Sequence, residues 1–315
     1  MNPAIEGGTG SLRAFRGTIV DFQGDPRTMP GALRCVEDGW LLVRDGRVAG
    51  VQAASAGAAG LPPGALIEDH RGCLILPGFI DAHIHFPQTD VIASHGRQLL
   101  DWLNDYTFPA EAAFSDGEHA RATADFFLDE LLRNGTTTAA VYATVHAGSV
   151  DAFFDATFTR GLRMVSGKVM MDRNCPEYLR DTPASSYEDS AALIERWHGR
   201  GRLGYAVTPR FAVSSSDEQL RMAGRLLDEH PGVHMQTHIA ENRDEIRWVA
   251  ELFPWSKSYL DVYDRFGLVG EKSLFGHCIH FDEGDWTRMA ESGSVAVHCP
   301  TSNLFLGSGL FDYDR

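Results

Sequence analysis

Cysteine is scarce and scattered: five residues in 315, at Cys35, Cys73, Cys175, Cys278 and Cys299. Their number is odd and none forms Cys-x-x-Cys. Neither a disulfide framework nor a cysteine-built zinc site is expected, and a reducing cytoplasm is the simplest compartment. Positive charge is also short, with 28 Lys and Arg against 43 Asp and Glu and a formal net charge of −15. No basic tract appears, which argues against a nucleic-acid backbone or an anionic membrane surface as partner. No apolar run reaches the length of a membrane span. Residues 1–16 contain no apolar core of signal-peptide length. No Gly-x-Gly-x-x-Gly follows a candidate strand, so a dinucleotide-binding sheet is not indicated.

What is present suits a packed core: 43% of residues are hydrophobic and 10% aromatic, enough for one large domain or two smaller ones. Residues 1–72 read as short strands and turns, expected to be the N-terminal portion of a β-sandwich that pairs with chain elsewhere. Within them, Gly39-Trp-Leu-Leu-Val-Arg44, Asp45-Gly46 and Arg47-Val-Ala-Gly-Val51 spell a hairpin. Residues 53–64, rich in Ala, Gly and Pro, read as a loop.

From residue 73 to 315 the pattern changes to apolar strands alternating with amphipathic helices. Candidate strands are 73–86, 136–145, 163–171, 203–213, 233–241, 273–281 and 294–299. Candidate helices are 117–134, 150–160, 187–198, 216–230, 243–253 and 283–292. Ser115…Glu118 and Ser216…Gln219 read as capping boxes. Repeated strand–helix units imply parallel strands with right-handed crossovers. The expected fold class is therefore α/β, a (β/α)₈ barrel rather than an open sheet. The count stops at seven, so an eighth strand is expected to be missing and the chain to be C-terminally truncated.

The stretch with the most chemistry is Leu76-Pro-Gly-Phe-Ile-Asp-Ala-His-Ile-His-Phe-Pro-Gln88. In a strand, His83 and His85 share a face, and two neutral imidazoles side by side are half of a transition-metal site. Alone, the pair reads equally as two ordinary strand histidines. In a barrel, however, functional groups project from the C-terminal strand ends. His238, His277 and His298 stand at such ends on the fifth, sixth and seventh candidate strands. Glu241, three residues after His238, could reach a water on a bound ion. It could also simply open the following helix, where a negative charge is favoured.

Taken together, these residues resemble the deaminase branch of the amidohydrolase superfamily. The likeness rests on Pro77-Gly-Phe-Ile-Asp-Ala-His-Ile-His85, His238, His277 and His298-Cys-Pro-Thr-Ser-Asn303, and it runs from about residue 74 to the end of the chain. Several segments resemble the guanine deaminases in particular: His85-Phe-Pro-Gln88, Trp102-Leu103, Tyr106-Thr-Phe-Pro-Ala-Glu111, Gly167-Lys-Val-Met-Met-Asp-Arg-Asn174 and Thr208-Pro-Arg-Phe211. The resemblance implies zinc-dependent hydrolytic deamination of guanine to xanthine and ammonia.

It further implies one Zn²⁺ per chain held by His83, His85 and His238, with an aspartate ligand beyond residue 315. Two-metal members carry a bridging lysine where this chain has Thr-Pro-Arg-Phe, which favours one ion. By the same resemblance Glu241 carries protons and His277 holds the attacking water. Gln88 and Arg210 read the purine, Phe211 packs on its ring, and His85, His238 and Glu241 complete the substrate site. A homodimer is implied as well. Other readings of the residues stay open: another heterocycle (an 8-oxopurine, a cytosine or a triazine) as substrate, or an inactive relative with a structural role. Arg210 alone could be a rim salt bridge and Phe211 plain core. Residues 106–111 lie in a long connection and are expected to form a lid over the purine.

Overall fold

The computed structural model describes residues 11–55, 57–94 and 99–315, in two compact units, Met1–Gly78 and Phe79–Arg315. In the first unit four strands, β1 (Arg13–Phe22), β2 (Leu33–Arg44), β3 (Arg47–Ala53) and β4 (Leu66–Ile75), form one sheet in the order β3-β2-β1-β4. The β1–β2 and β2–β3 pairs are antiparallel and β1–β4 is parallel. The hairpin falls where the sequence places it. Asp45 and Gly46 adopt φ of 51° and 72°, the left-handed pair whose twist suits a two-residue turn. Leu12, Ala14, Trp40, Leu42 and Ala54 form the unit's small core. β4 gives β1 its outer partner from within the unit, whereas the sequence suggested partners elsewhere in the chain.

The strand expected over 73–86 is two strands. β4 ends at Ile75 and β5 (Phe79–His85) begins the second unit. Pro77 has no amide to give a ladder, so one sheet stops before it and the other starts after it. The second unit continues with β6 (Thr136–Tyr142), β7 (Arg163–Gly167), β8 (Val169–Met170), β9 (Gly204–Pro209), β10 (His234–Ile239), β11 (Ser273–His277) and β12 (Val295–Val297). All pairs are parallel, in the order β5-β6-β7-β9-β10-β11-β12 with β8 beside β9, forming a nearly closed barrel. Lys168 interrupts what the sequence shows as one strand, and its buried ammonium pairs with Asp181. β9 is buried along its whole length, as expected of a parallel strand covered on both faces.

Helices fill the crossovers: α1 (Leu99–Trp102), α2 (Phe108–Ala112), α3 (Gly117–Arg133), α4 (Ala147–Arg160), α5 (Pro183–Trp197), α6 (Asp217–Glu229), α7 (Arg243–Leu252), α8 (Tyr259–Arg265), α9 (Glu283–Ser292) and α10 (Pro300–Phe305). α3 buries Ala120, Ala124, Phe127, Leu128 and Leu131, the stripe its sequence spacing predicts. Its cap sits one residue later than expected: Asp116, not Ser115, accepts from the Glu118 amide. Ser216 does cap α6. Gln219 does not complete a box there, because the Ser216 amide donates to Asp172 Oδ1 at 2.7 Å instead. Reciprocal boxes occur at Thr182/Ser185, Asn242/Glu245 and Asp282/Asp285. The short helices α8 and α10 were not legible in the sequence.

Candidate active site

Three strand ends deliver four histidines to one place. His83 and His85 come from β5, His238 from β10 and His277 from the last position of β11. Ring centroids lie 5.3 Å apart for His83–His85, 4.7 Å for His83–His238 and 5.2 Å for His83–His277. Ligand nitrogens of His83, His85 and His238 all lie within 4.8 Å of one another.

Local backbone makes this possible. Gly276 stands opposite His238 in the ladder, and a Cβ there would come within 2.7 Å of the His83 ring. A Gly276→Ala variant should therefore displace His83 and lower bound metal well below that of the unaltered protein, as read by elemental analysis of folded protein. At the ends of the same strands Ala240, His277 and Cys278 hold positive φ of 50°, 78° and 50°, a strained conformation that side-chain-bearing residues keep where surrounding structure enforces it.

The three imidazoles are neutral donors. Burial, reinforced by neighbouring histidines and by Arg210, holds the pKa of His83, His85 and His238 well below the usual histidine range. His238 Nδ1 lies 2.7 Å from the Arg210 carbonyl oxygen, which can only accept, so Nδ1 carries the proton. Its Nε2 is then bare, and it lies 3.0 Å from His85 Nε2.

Two ring nitrogens that close, in neutral rings, call for a cation or a proton between them. A third bare imidazole beside them suits a divalent ion of the zinc type. The carbonyl that fixes His238 is the outer partner such ligands ordinarily have. A second triple, His83, His277 and Cys299, also has ligand atoms within reach of one another. Burial pushes the Cys299 thiol up to about 12, and its Sγ donates to the Val297 carbonyl oxygen. Among the described residues no aspartate joins either cluster.

Beside the imidazoles stands a carboxylate with an elevated pKa. Glu241 is 2% exposed, and burial lifts its pKa to about 7, with a hydrogen bond from Ser308 working the other way. Its Oε2 is 3.3 Å from His277 Nε2. His277 Nδ1 lies 2.8 Å from Asn303 Oδ1, so Nδ1 donates to Asn303 and Nε2 faces Glu241. Behind Glu241, Glu245 accepts from the Glu241 and Asn242 amides and from the Tyr259 hydroxyl at 2.7 Å. Asn303, Ser308 and Glu245 were not singled out from the sequence. The only signal available was that Asn303 closes the His298-Cys-Pro-Thr-Ser-Asn run. His298 itself does not join the site: it is exposed and stacks on Phe311, with ring centroids 4.8 Å apart.

These groups open onto one cavity of about 900 Å³, lined by His83, His85, Gln88, Arg210, Phe211, His238, Glu241 and His277 among others. Arg210 is no rim residue. It is 2% exposed, and its Nη1 lies 2.8 and 2.7 Å from the two oxygens of Glu111. Phe108 lies against the same guanidinium. The segment expected as a lid is helical. A π turn over Leu103–Thr107 leads into α2, whose Phe108 and Glu111, three apart, share the face turned to Arg210. Thr107, Phe108 and Glu111 are buried. Phe211, 5% exposed, belongs both to the core and to the cavity wall.

Comparison with known proteins gives the same picture. The model of the amidohydrolase family matches residues 74–315. A guanine deaminase of Escherichia coli (strain K12) is 50% identical over 311 residues, covering 98% of this chain and 71% of that protein. The solved E. coli guanine deaminase superposes with a TM-score of 0.93 at 50% identity, over 96% of this chain and 71% of that one. A C. acetobutylicum guanine deaminase, solved with guanine in its active site, gives a TM-score of 0.87 at 34% identity, over 96% and 70%. By sequence and by fold, the chain belongs to the amidohydrolase family.

Proposed function

We propose that this chain hydrolyses guanine to xanthine and ammonia, with one zinc ion held by His83, His85 and His238. The observation that carries the reading is the meeting of three neutral imidazoles with the Glu241–His277 pair on the wall of a single cavity. Its volume of about 900 Å³ is in the range of small-molecule sites. Zinc held by such a set would lower the pKa of a water from 15.7 toward about 7 and so supply a nucleophile at neutral pH.

The rest of the chemistry falls to the protein. Glu241, titrating near neutrality, accepts a proton from the water and delivers it to a purine ring nitrogen. It then carries the remaining proton of the added hydroxyl to the departing amine as the carbon–nitrogen bond breaks and the carbonyl forms. His277, its ring oriented by Asn303, holds the attacking oxygen in line through Nε2. The Gln88 amide and the Arg210 guanidinium match the donors and acceptors of the purine edge, and Phe211 packs against the ring. The atoms balance: water enters, a carbonyl replaces the amine, and ammonia leaves.

Purified protein should release ammonia from guanine faster than from an 8-oxopurine, cytosine or a triazine, and should hold one zinc per chain. A clear preference for another base, or guanine turnover by zinc-free protein, would reject the proposal.

A further inference from the structure

Arg210 reaches the cavity wall already paired. Both contacts from Glu111 run through Nη1, so Nε and Nη2 are not engaged by that carboxylate. Phe108 packs on the guanidinium with its ring centroid 5.4 Å from the central carbon. Arg210 is 2% and Glu111 0% exposed. Water does not screen the pair, so its two charges cancel at close range and in a medium where an uncancelled charge would be strongly felt. Burial raises the Glu111 carboxyl pKa and Arg210 opposes that rise.

We infer that Glu111 is a specificity-determining residue: by cancelling the charge of Arg210 it makes the cavity favour a neutral oxopurine over the corresponding monoanion. The inference rests on the reading of the site as a guanine site. Deamination puts a carbonyl between two ring nitrogens where an amine stood, which makes the product more acidic than the substrate and populates its anion close to neutral pH. A bare buried guanidinium would hold that anion. A guanidinium already neutralised still donates hydrogen bonds to a carbonyl, but offers the product no net attraction when it ionises. Glu111 therefore acts through Arg210, as a positioning and charge-cancelling group.

Glu111→Gln keeps the shape and one acceptor but removes the charge. For the unaltered protein and this variant, KM for guanine and the inhibition constant of xanthine are measured on either side of xanthine's first ionisation. The other titratable groups near the guanidinium or on the same cavity wall are His83, His85, His238, His277, Tyr142, Cys175, Glu241 and Glu245. They are common to both proteins and cancel in the ratio of affinities.

The expected result is that the variant gains at least about tenfold for ionised xanthine relative to guanine, with little change for neutral xanthine. An unchanged ratio, with guanine bound by both proteins, overturns the inference while leaving the guanine reading intact. Should the variant fail to fold, the Glu241→Gln protein, in which that wall carboxyl no longer ionises over the same range, decides: xanthine binding that weakens or holds level on ionisation supports the inference, and binding that tightens overturns it. If the unaltered protein binds neither purine, the guanine reading falls and this inference with it.

Discussion

Replacing Glu241 with Gln is expected to slow guanine deamination by about 10²–10⁴-fold while leaving bound zinc at the level of the unaltered protein. The two effects separate because Glu241 is not one of the clustered imidazoles, and its contacts are to His277 and Ser308. Glutamine keeps the shape and an acceptor but cannot take up and return a proton. The pH profile gives the same test independently. Glu241 must be ionised to take up the proton, so kcat/KM of the unaltered protein should fall as acid protonates it. The variant should lose that limb.

Stability moves the opposite way. A carboxyl whose folded pKa lies above its unfolded value stabilises below the unfolded pKa, and that contribution is lost as pH rises through the folded pKa. The window here runs from about 4.5 to about 7. At mildly alkaline pH the metal-free variant should therefore be more stable than the metal-free parent, by at most about 3 kcal/mol, and near pH 4 the two should converge. Denaturant melts at the two pH values check this. A less stable variant at alkaline pH would mean that the Glu241 charge is better compensated than its surroundings indicate.

Chelation of the metal is expected to lower the melting temperature by roughly 10 °C. Ligand at a thousand times its Kd stabilises the folded state by about 4 kcal/mol, and each kcal/mol moves Tm by about 2–4 °C at this size. The physical basis is specific. His85 Nε2 and His238 Nε2 lie 3.0 Å apart in rings kept neutral by burial, an arrangement a cation relieves. His238→Ala removes one of the two, so its melting temperature should be the same with and without zinc. An equal zinc-induced shift in that variant would place the ion elsewhere.

Much of this architecture was legible because it is local. Apolar runs and helical spacing mark β6, β7, β9, β10, β11, β12 and the long helices, and strand ends in a barrel point the same way, so His83, His85, His238 and His277 could be grouped before any geometry was known. His298 shows the limit of that logic. It too follows a strand, but its ring faces solvent and stacks on Phe311, an orientation that spacing along the chain does not encode. Long-range pairs were invisible for the same reason. Glu111 and Arg210 are 99 positions apart, and neither residue's neighbours announce the other. Asn303 reaches His277 from a six-residue helix too short to leave a periodic signal. The break at Pro77-Gly78 was visible, but not that the chain changes sheets there.

X-ray absorption at the zinc edge of the metal-loaded protein, beside the His238→Ala variant, tests the central claim most directly. The account predicts nitrogen and oxygen neighbours at about 2.0–2.1 Å with outer-shell imidazole scattering, that scattering being reduced in the variant. A sulfur neighbour at about 2.3 Å, which would bring in Cys299, or a spectrum unchanged by His238→Ala, would contradict it.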